Sequence, residues 1–197
     1  TARTTHGTAS MKPRSGGLAG VLGIPYAAYP LVYAVRLAAT VVALAWCRRS
    51  LATWVGRPAW WPPLLGFMLA VPWVVLAVLQ REAGWTTRLG ERSAFDPFAA
   101  FGGDGATALG FLALRFLGLV AVVPLVEELF LRGFVMRYVV AEDFWTVPFG
   151  LLVPSSASAC AVYALVTHPA EAVAAAGWFA VVSGIAAATR RPIDCIL

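Results

Sequence analysis

Apolar residues along this chain fall into long blocks, not into amphipathic stripes. The first block runs from about Leu18 to Trp46, with Pro25 and Pro30 near its start. Its best spanning stretch is Ala28 to Trp46. A second runs from about Trp61 to Leu79, and a polar loop from Gln80 to Asp104 follows. The third begins near Ala106 and stays apolar to Val140, interrupted by Arg115, Glu127, Glu128, Arg132 and Arg137; Glu142 and Asp143 close it. A fourth runs from about Val147 to Val166, with Pro148 and Pro154 inside. A fifth runs from Pro169 to Thr189 and ends in Arg190 and Arg191, and a sixth begins at Pro192. A block of about 20 apolar residues crosses a bilayer as a helix. The pattern therefore predicts an all-α, polytopic transmembrane helix bundle of about five or six spans. Residues 1–17 form a polar N-terminal tail and 18–197 a single transmembrane domain.

Composition agrees. Of 197 residues, 60% are hydrophobic and 13% charged, against about 25% charged in soluble domains. The net charge of +5 comes from 14 Arg and one Lys, mostly single residues between apolar blocks. No basic run of the kind that grips phosphate backbones is present, so nucleic acid is not an expected partner. Basic residues at block edges follow the positive-inside rule. That rule puts Arg48, Arg49 and Arg57, and also Arg190 and Arg191, in the cytoplasm. The balanced loop at 80–104 then faces outward. Trp46, Trp54, Trp60 and Trp61 flank the first basic loop, and Trp145 lies near Glu142 and Asp143, as in interfacial aromatic belts. Gly16, Gly17, Gly20 and Gly23 read as a flexible lead into the first block.

Three cysteines, Cys47, Cys160 and Cys195, sit in or beside apolar blocks. An odd number so placed reads as reduced small hydrophobes, not as a disulfide framework. No cleavable signal peptide is expected, because no small-residue cleavage site follows the first block. The chain starts at Thr1 and stops inside a new apolar run, so it is expected to be incomplete at its C-terminus.

The chemistry concentrates where charge meets apolar sequence. A carboxylate at bilayer depth costs a few kcal/mol on insertion scales, and two adjacent ones, Glu127 and Glu128, lie within Val126-Glu127-Glu128-Leu129-Phe130-Leu131-Arg132. On a helix, Glu128 and Arg132 share a face and pair, while Glu127 points about 100° away. One carboxylate is thus neutralised and the other is left available as a general base. His168, before Pro169 at a helix end, is the second candidate. If the third helix reaches the cytoplasmic face near Val140, Glu127 lies 13 residues in, about 20 Å at helical rise. If the next helix starts after Pro154, capped by Ser155 or Ser156, His168 is also 13 residues in. That match requires Phe144 to Val153 to be interfacial or re-entrant. Arg36 reads as a snorkelling cation, Arg115 as a deeper one able to meet an acid from another helix, and Asp194 as structural.

The cluster Glu127-Glu128-x-x-x-Arg132, followed by His168, resembles the CPBP or Abi family, the CAAX proteases and bacteriocin-processing proteins. The wider arrangement is most similar to the CAAX prenyl protease-related subgroup that accompanies exosortase/PEP-CTERM sorting. The family's second motif is Phe-x-x-x-His; here its Phe position holds Ala164, with Tyr163 beside it as a substitute. The third motif, His-x-x-x-Asn or Asp, is absent and is expected just past Leu197. The resemblance implies that residues 18–197 are a protease-like domain and that the protein is an intramembrane endopeptidase. Glu127 and His168 are its catalytic residues, activating a water, and Glu128 and Arg132 support them. It implies a bacterial cytoplasmic-membrane location, membrane lipids as neighbours and a membrane-anchored or lipidated protein substrate. The missing His and Asn would stabilise the oxyanion, so the 197-residue chain is expected to be inactive or poorly active. No cofactor is expected; zinc on Glu127, His168 and a further His is the alternative. Two other functions compete: an inactive helper of protein sorting or immunity on the same scaffold, and a small transporter, which predicts a repeat symmetry not seen here.

Overall fold

In a computed structural model the described residues are 28–55, 59–85 and 95–196. The tail at 1–17, the glycines before residue 28, Arg57 and the loop charges Arg88, Glu91 and Arg92 lie outside them. The described residues form helices and turns with no strand. We number the helices α1 (Tyr29–Trp46), α2 (Arg48–Val55), α3 (Trp61–Glu82), α4 (Pro97–Ala100), α5 (Gly105–Tyr138), α6 (Pro154–Thr167) and α7 (Ala172–Thr189). Short 3-10 turns at Phe144–Thr146, Pro169–Glu171 and Pro192–Cys195 join or follow them.

Four helical stretches are long and apolar enough to cross a membrane: α1, α3, α5, and α7 with the turn before it. The fold is the expected all-α membrane bundle. Its outer faces carry exposed Val42, Phe67, Val71 and Phe116, a surface suited to lipid and not to water. Trp46, Trp60 and Trp145 are exposed, as an interfacial belt requires, whereas Trp61 packs inward against Val182 and Ile185.

Helix α5 has 34 residues, about 50 Å at helical rise, and it is not uniform. It widens into π-helical turns at Gly118–Val122 and Leu131–Val135. Pro124 explains the first turn: it has no N–H to give the carbonyl four residues back, and its ring crowds that carbonyl. Gly118 is buried against the Tyr33 hydroxyl, where a Cβ would collide. The same hydroxyl donates to the Arg115 carbonyl at 3.1 Å, tying α1 to α5. The Arg115 guanidinium, read as able to meet an acid from another helix, lies 6.0 Å over the Tyr29 ring of α1.

Helix α7 occupies the centre, packed against α3 and α6. Ala172, Ala174, Ala175, Phe179, Val182, Ser183, Ile185 and Ala186 are all buried. The run of alanines lets neighbouring backbones come close. Leu131 and Met136 of α5, Cys160 and Ala164 of α6, and Ala175 and Phe179 of α7 form one core cluster. Cys160 and Cys195 are buried free thiols, as small hydrophobes should be; Cys47 is exposed.

The fourth apolar block does not form one helix. Residues 144–153 are irregular apart from a single 3-10 turn, and α6 begins only at Pro154. Backbone polar groups of a non-helical segment need partners inside an apolar protein. Two arginines supply several. Arg137 donates to the carbonyls of Val147 (2.8 Å) and Trp145 (3.0 Å). Arg190, in the left-handed conformation, donates to Phe149 O (3.2 Å). The cap of α6 differs from the expected Ser155 or Ser156. Val153 is the N-cap, and Ser156 sits at the third helical position, where its Oγ accepts from Val153 N (3.0 Å). Pro154 fixes this register, because proline is pre-organised for the first helical position and needs no donor. With 14 residues, α6 is about 21 Å long.

The start of the sixth block is a buried turn. Asp194 is 1% exposed; it accepts from Ala59 N (2.7 Å) and pairs with Arg191 (3.0 Å). It thereby ties the start of α3 to the end of α7, a structural role.

Candidate active site

The stretch of α5 between its two π turns carries the carboxylates. Glu128 is 7% exposed and Arg132 2%, and they form an ion pair across one helical turn. Arg132 also donates through Nη2 to Phe179 O (3.0 Å) and to Ser183 Oγ (3.2 Å), both on α7. Its guanidinium lies 5.6 Å from the Phe179 ring centroid. The pair is thus a bolt between α5 and α7. Glu128 Oε2 and Arg132 Nε remain buried with no hydrogen-bond partner among the described residues.

Glu127, one residue earlier, is half-buried and faces elsewhere. It lines a cavity of about 350 Å³ together with Ala70, Trp73 and Val74 of α3, His168 after α6, and Trp178 and Phe179 of α7. The two principal sequence candidates, Glu127 and His168, therefore line the same cavity. Glu128 and Arg132 do not line it; they stand behind Glu127 and hold Phe179, which does.

His168 ends α6. Its backbone (φ −127°, ψ 54°) has left the helix, as the residue before a proline is driven to do. Aromatic rings hold the imidazole: Trp73 is edge-on at 5.9 Å and Phe179 lies at 5.6 Å. The ring nitrogens are distinguishable. Thr167 Oγ1 donates to Tyr163 O (2.7 Å) and lies 2.8 Å from His168 Nδ1. A hydroxyl has one proton, and a carbonyl can only accept it. The hydroxyl can serve both neighbours at once only by accepting from Nδ1–H, an arrangement that leaves Nε2 as the basic nitrogen.

The aromatic position before His168 resolves differently from the motif. Ala164 is fully buried in the core, and Tyr163 packs on Phe130 (6.1 Å) and Phe179 (5.6 Å). The rings that touch His168 come from α3 and α7. Sequence reasoning missed Trp73, Phe179 and Ser183, which lie in apolar blocks with nothing local to mark them. It also missed Gln80, which the polarity pattern placed at the start of a loop and which is buried inside α3. Among the described residues no three His, Cys, Asp or Glu side chains are gathered to hold a metal ion.

Apolar spanning helices around a cavity lined by a carboxylate and an imidazole define an integral membrane protein with a polar site. Residues 109–197 match the family model described as type II CAAX prenyl endopeptidase Rce1-like. The matched segment carries Glu127, Glu128, Arg132 and His168, so the resemblance read from those residues is borne out over this part of the chain, that of a CAAX-type membrane protease. No curated protein and no solved structure matches the chain.

Proposed function

We propose that the cavity is the active site of an intramembrane endopeptidase. Glu127 and His168 activate a water for attack on the scissile carbonyl of a membrane-anchored or lipidated protein. The observation that carries this reading is that Glu127 and His168 line one cavity, with the neighbouring Glu128 charge compensated by Arg132. A carboxylate beside a basic imidazole nitrogen can take the proton of an attacking water and return it to the leaving amine. At about 350 Å³ the cavity is large enough for a water, whose share of liquid volume is about 30 Å³, and for a peptide unit. Its lining from Trp73, Val74, Trp178 and Phe179 is apolar, and a less polar surrounding strengthens electrostatics. A bacterial cytoplasmic membrane is the setting proposed. The sorting-associated subgroup rests on the sequence resemblance alone.

The substrate class is tested by comparing one peptide in two forms, tethered by a lipid or a transmembrane anchor and released in solution. In bilayers, the protein as its gene encodes it should cleave the anchored form and leave the soluble form intact. Equal cleavage of both would contradict an intramembrane site. Cleavage of neither by a correctly inserted protein would favour the non-catalytic helper.

A further inference from the structure

Helix α7 begins without a local cap. Its N-cap residue, Glu171, makes no side-chain capping bond, although the first N–H groups of any helix lack intrahelical partners. One of them is served from another helix. Gln80, on the last turn of α3 and 4% exposed, accepts from Val173 N through Oε1 at 3.0 Å. Its amide nitrogen donates to Ala170 O, also at 3.0 Å. One end of this buried side chain is therefore spent on the 3-10 turn that begins directly after His168, and the other on the first turn of α7 that follows it. His168 O in turn accepts from Glu171 N at 3.1 Å, within the same turn.

We propose that Gln80 is a positioning residue for His168: it clamps the turn Pro169–Glu171 and the start of α7 to α3 and so fixes the imidazole in the cavity that Glu127 also lines. The inference rests on the assignment of His168 to the reaction. Two features support it. First, His168 sits at the junction of α6 and the turn: its N–H donates to Ala164 O of α6 at 3.0 Å, so the turn that follows fixes its other side. Second, α3 also supplies Ala70, Trp73 and Val74 to the cavity. Clamping the turn to α3 therefore sets the histidine against the wall that receives substrate. Trp73 reaches the imidazole ring directly, while Gln80 holds its backbone. Gln80 touches no reacting atom.

The test uses two variants of the protein as its gene encodes it. Gln80→Met keeps length and removes both bonds. Gln80→Glu keeps an acceptor for Val173 N–H and removes the donor to Ala170 O, which guards against a Met variant that fails to fold. Each is purified without a polyhistidine tag and with ring-labelled histidine. The 197 residues hold only His6 and His168, and His168→Ala identifies the site signal. The expected result is a shifted or broadened His168 signal in both variants, with His6 unchanged, and a kcat on anchored substrate lowered about 100-fold at little cost in KM, the order expected for misplacing a reacting group by about 1 Å. Tyr33→Phe breaks a comparable side-chain-to-carbonyl bond between α1 and α5; it should move neither the signal nor kcat. An unchanged His168 signal in both Gln80 variants would overturn the proposal, as would a moved signal with unaltered kcat. A wild-type protein that cleaves nothing sinks the protease reading alone, and the His168 signal still decides whether Gln80 holds the imidazole.

Discussion

Arg132 donates to the carbonyl of Phe179 at 3.0 Å while pairing with Glu128 on its own helix, and the Phe179 ring packs on His168. One guanidinium thus connects the carboxylate side of the cavity to the imidazole side. Its planar fork makes this possible, since separate nitrogens serve Glu128 and α7. Arg132→Met should destabilise the folded protein by about 3–5 kcal/mol, because it strands the buried Glu128 charge. Arg132→Lys should keep the ion pair, lose the bonds to α7, and retain more stability than activity. Reversible unfolding in bilayer mimics, compared with cleavage rate, checks both. Equal losses for Lys and Met would mean that the bonds to α7 contribute little.

Thr167 Oγ1 lies 2.8 Å from His168 Nδ1, placed to orient the imidazole by accepting from Nδ1–H. Thr167→Val preserves shape and removes that acceptor. Cleavage should fall about fivefold, the rate equivalent of one hydrogen bond of about 1 kcal/mol. Thr167→Ser should restore it. A Val variant at wild-type rate would mean that Thr167 does not orient the imidazole.

By the positive-inside rule, the arginine-rich α2 and the end of α7 are expected in the cytoplasm. Cys47 is exposed and adjoins Arg48. An impermeant thiol reagent should reach it only from the cytoplasmic side. With Cys47 replaced by Ala, a cysteine at exposed Ala99 should label only from outside. Labelling of Ala99→Cys from the cytoplasm would invert the topology.

Asp104 caps α5 just outside the span. Its carboxyl is held below the usual carboxylate range, first by the Thr107 hydroxyl and then by the Thr107 and Ala106 amides. A folded-state pKa below the unfolded one stabilises the helix end above the unfolded value and loses that contribution as pH falls through the folded value. The first turn of α5 should therefore fray in acid, read as faster hydrogen exchange at Ala106 and Thr107 after correction for intrinsic rates. Asp104→Asn should abolish that pH dependence. Persistence of the dependence in the Asn variant would assign it to another group.

Much of this fold is legible from block lengths, because a bilayer permits few structures other than helices. Tyr29–Trp46 and Gly105–Tyr138 lie within a few residues of the expected stretches. The Glu128–Arg132 pair is legible because helical spacing alone brings residues four apart together. The apolar run from Phe144 to Val153 could not be assigned by hydropathy. Its irregular path depends on Arg137 and Arg190 filling its carbonyls from elsewhere in the chain. Gln80 was misplaced for the converse reason. A polar residue at the edge of an apolar block looks like a loop until its partners, Ala170 and Val173, are known. The rings around His168 come from residues 73 and 179, separations that no local motif encodes.

The central claim is that Glu127 works as the base. The most direct test is the single-turnover rate of anchored-substrate cleavage by Glu127→Gln, which keeps size and hydrogen bonding and removes the basic carboxylate, beside wild type in the same bilayers. The rate should fall by about 10²- to 10⁴-fold, the usual contribution of a positioned base, with insertion and stability unchanged. A Glu127→Gln variant that cleaves at the wild-type rate would contradict the claim.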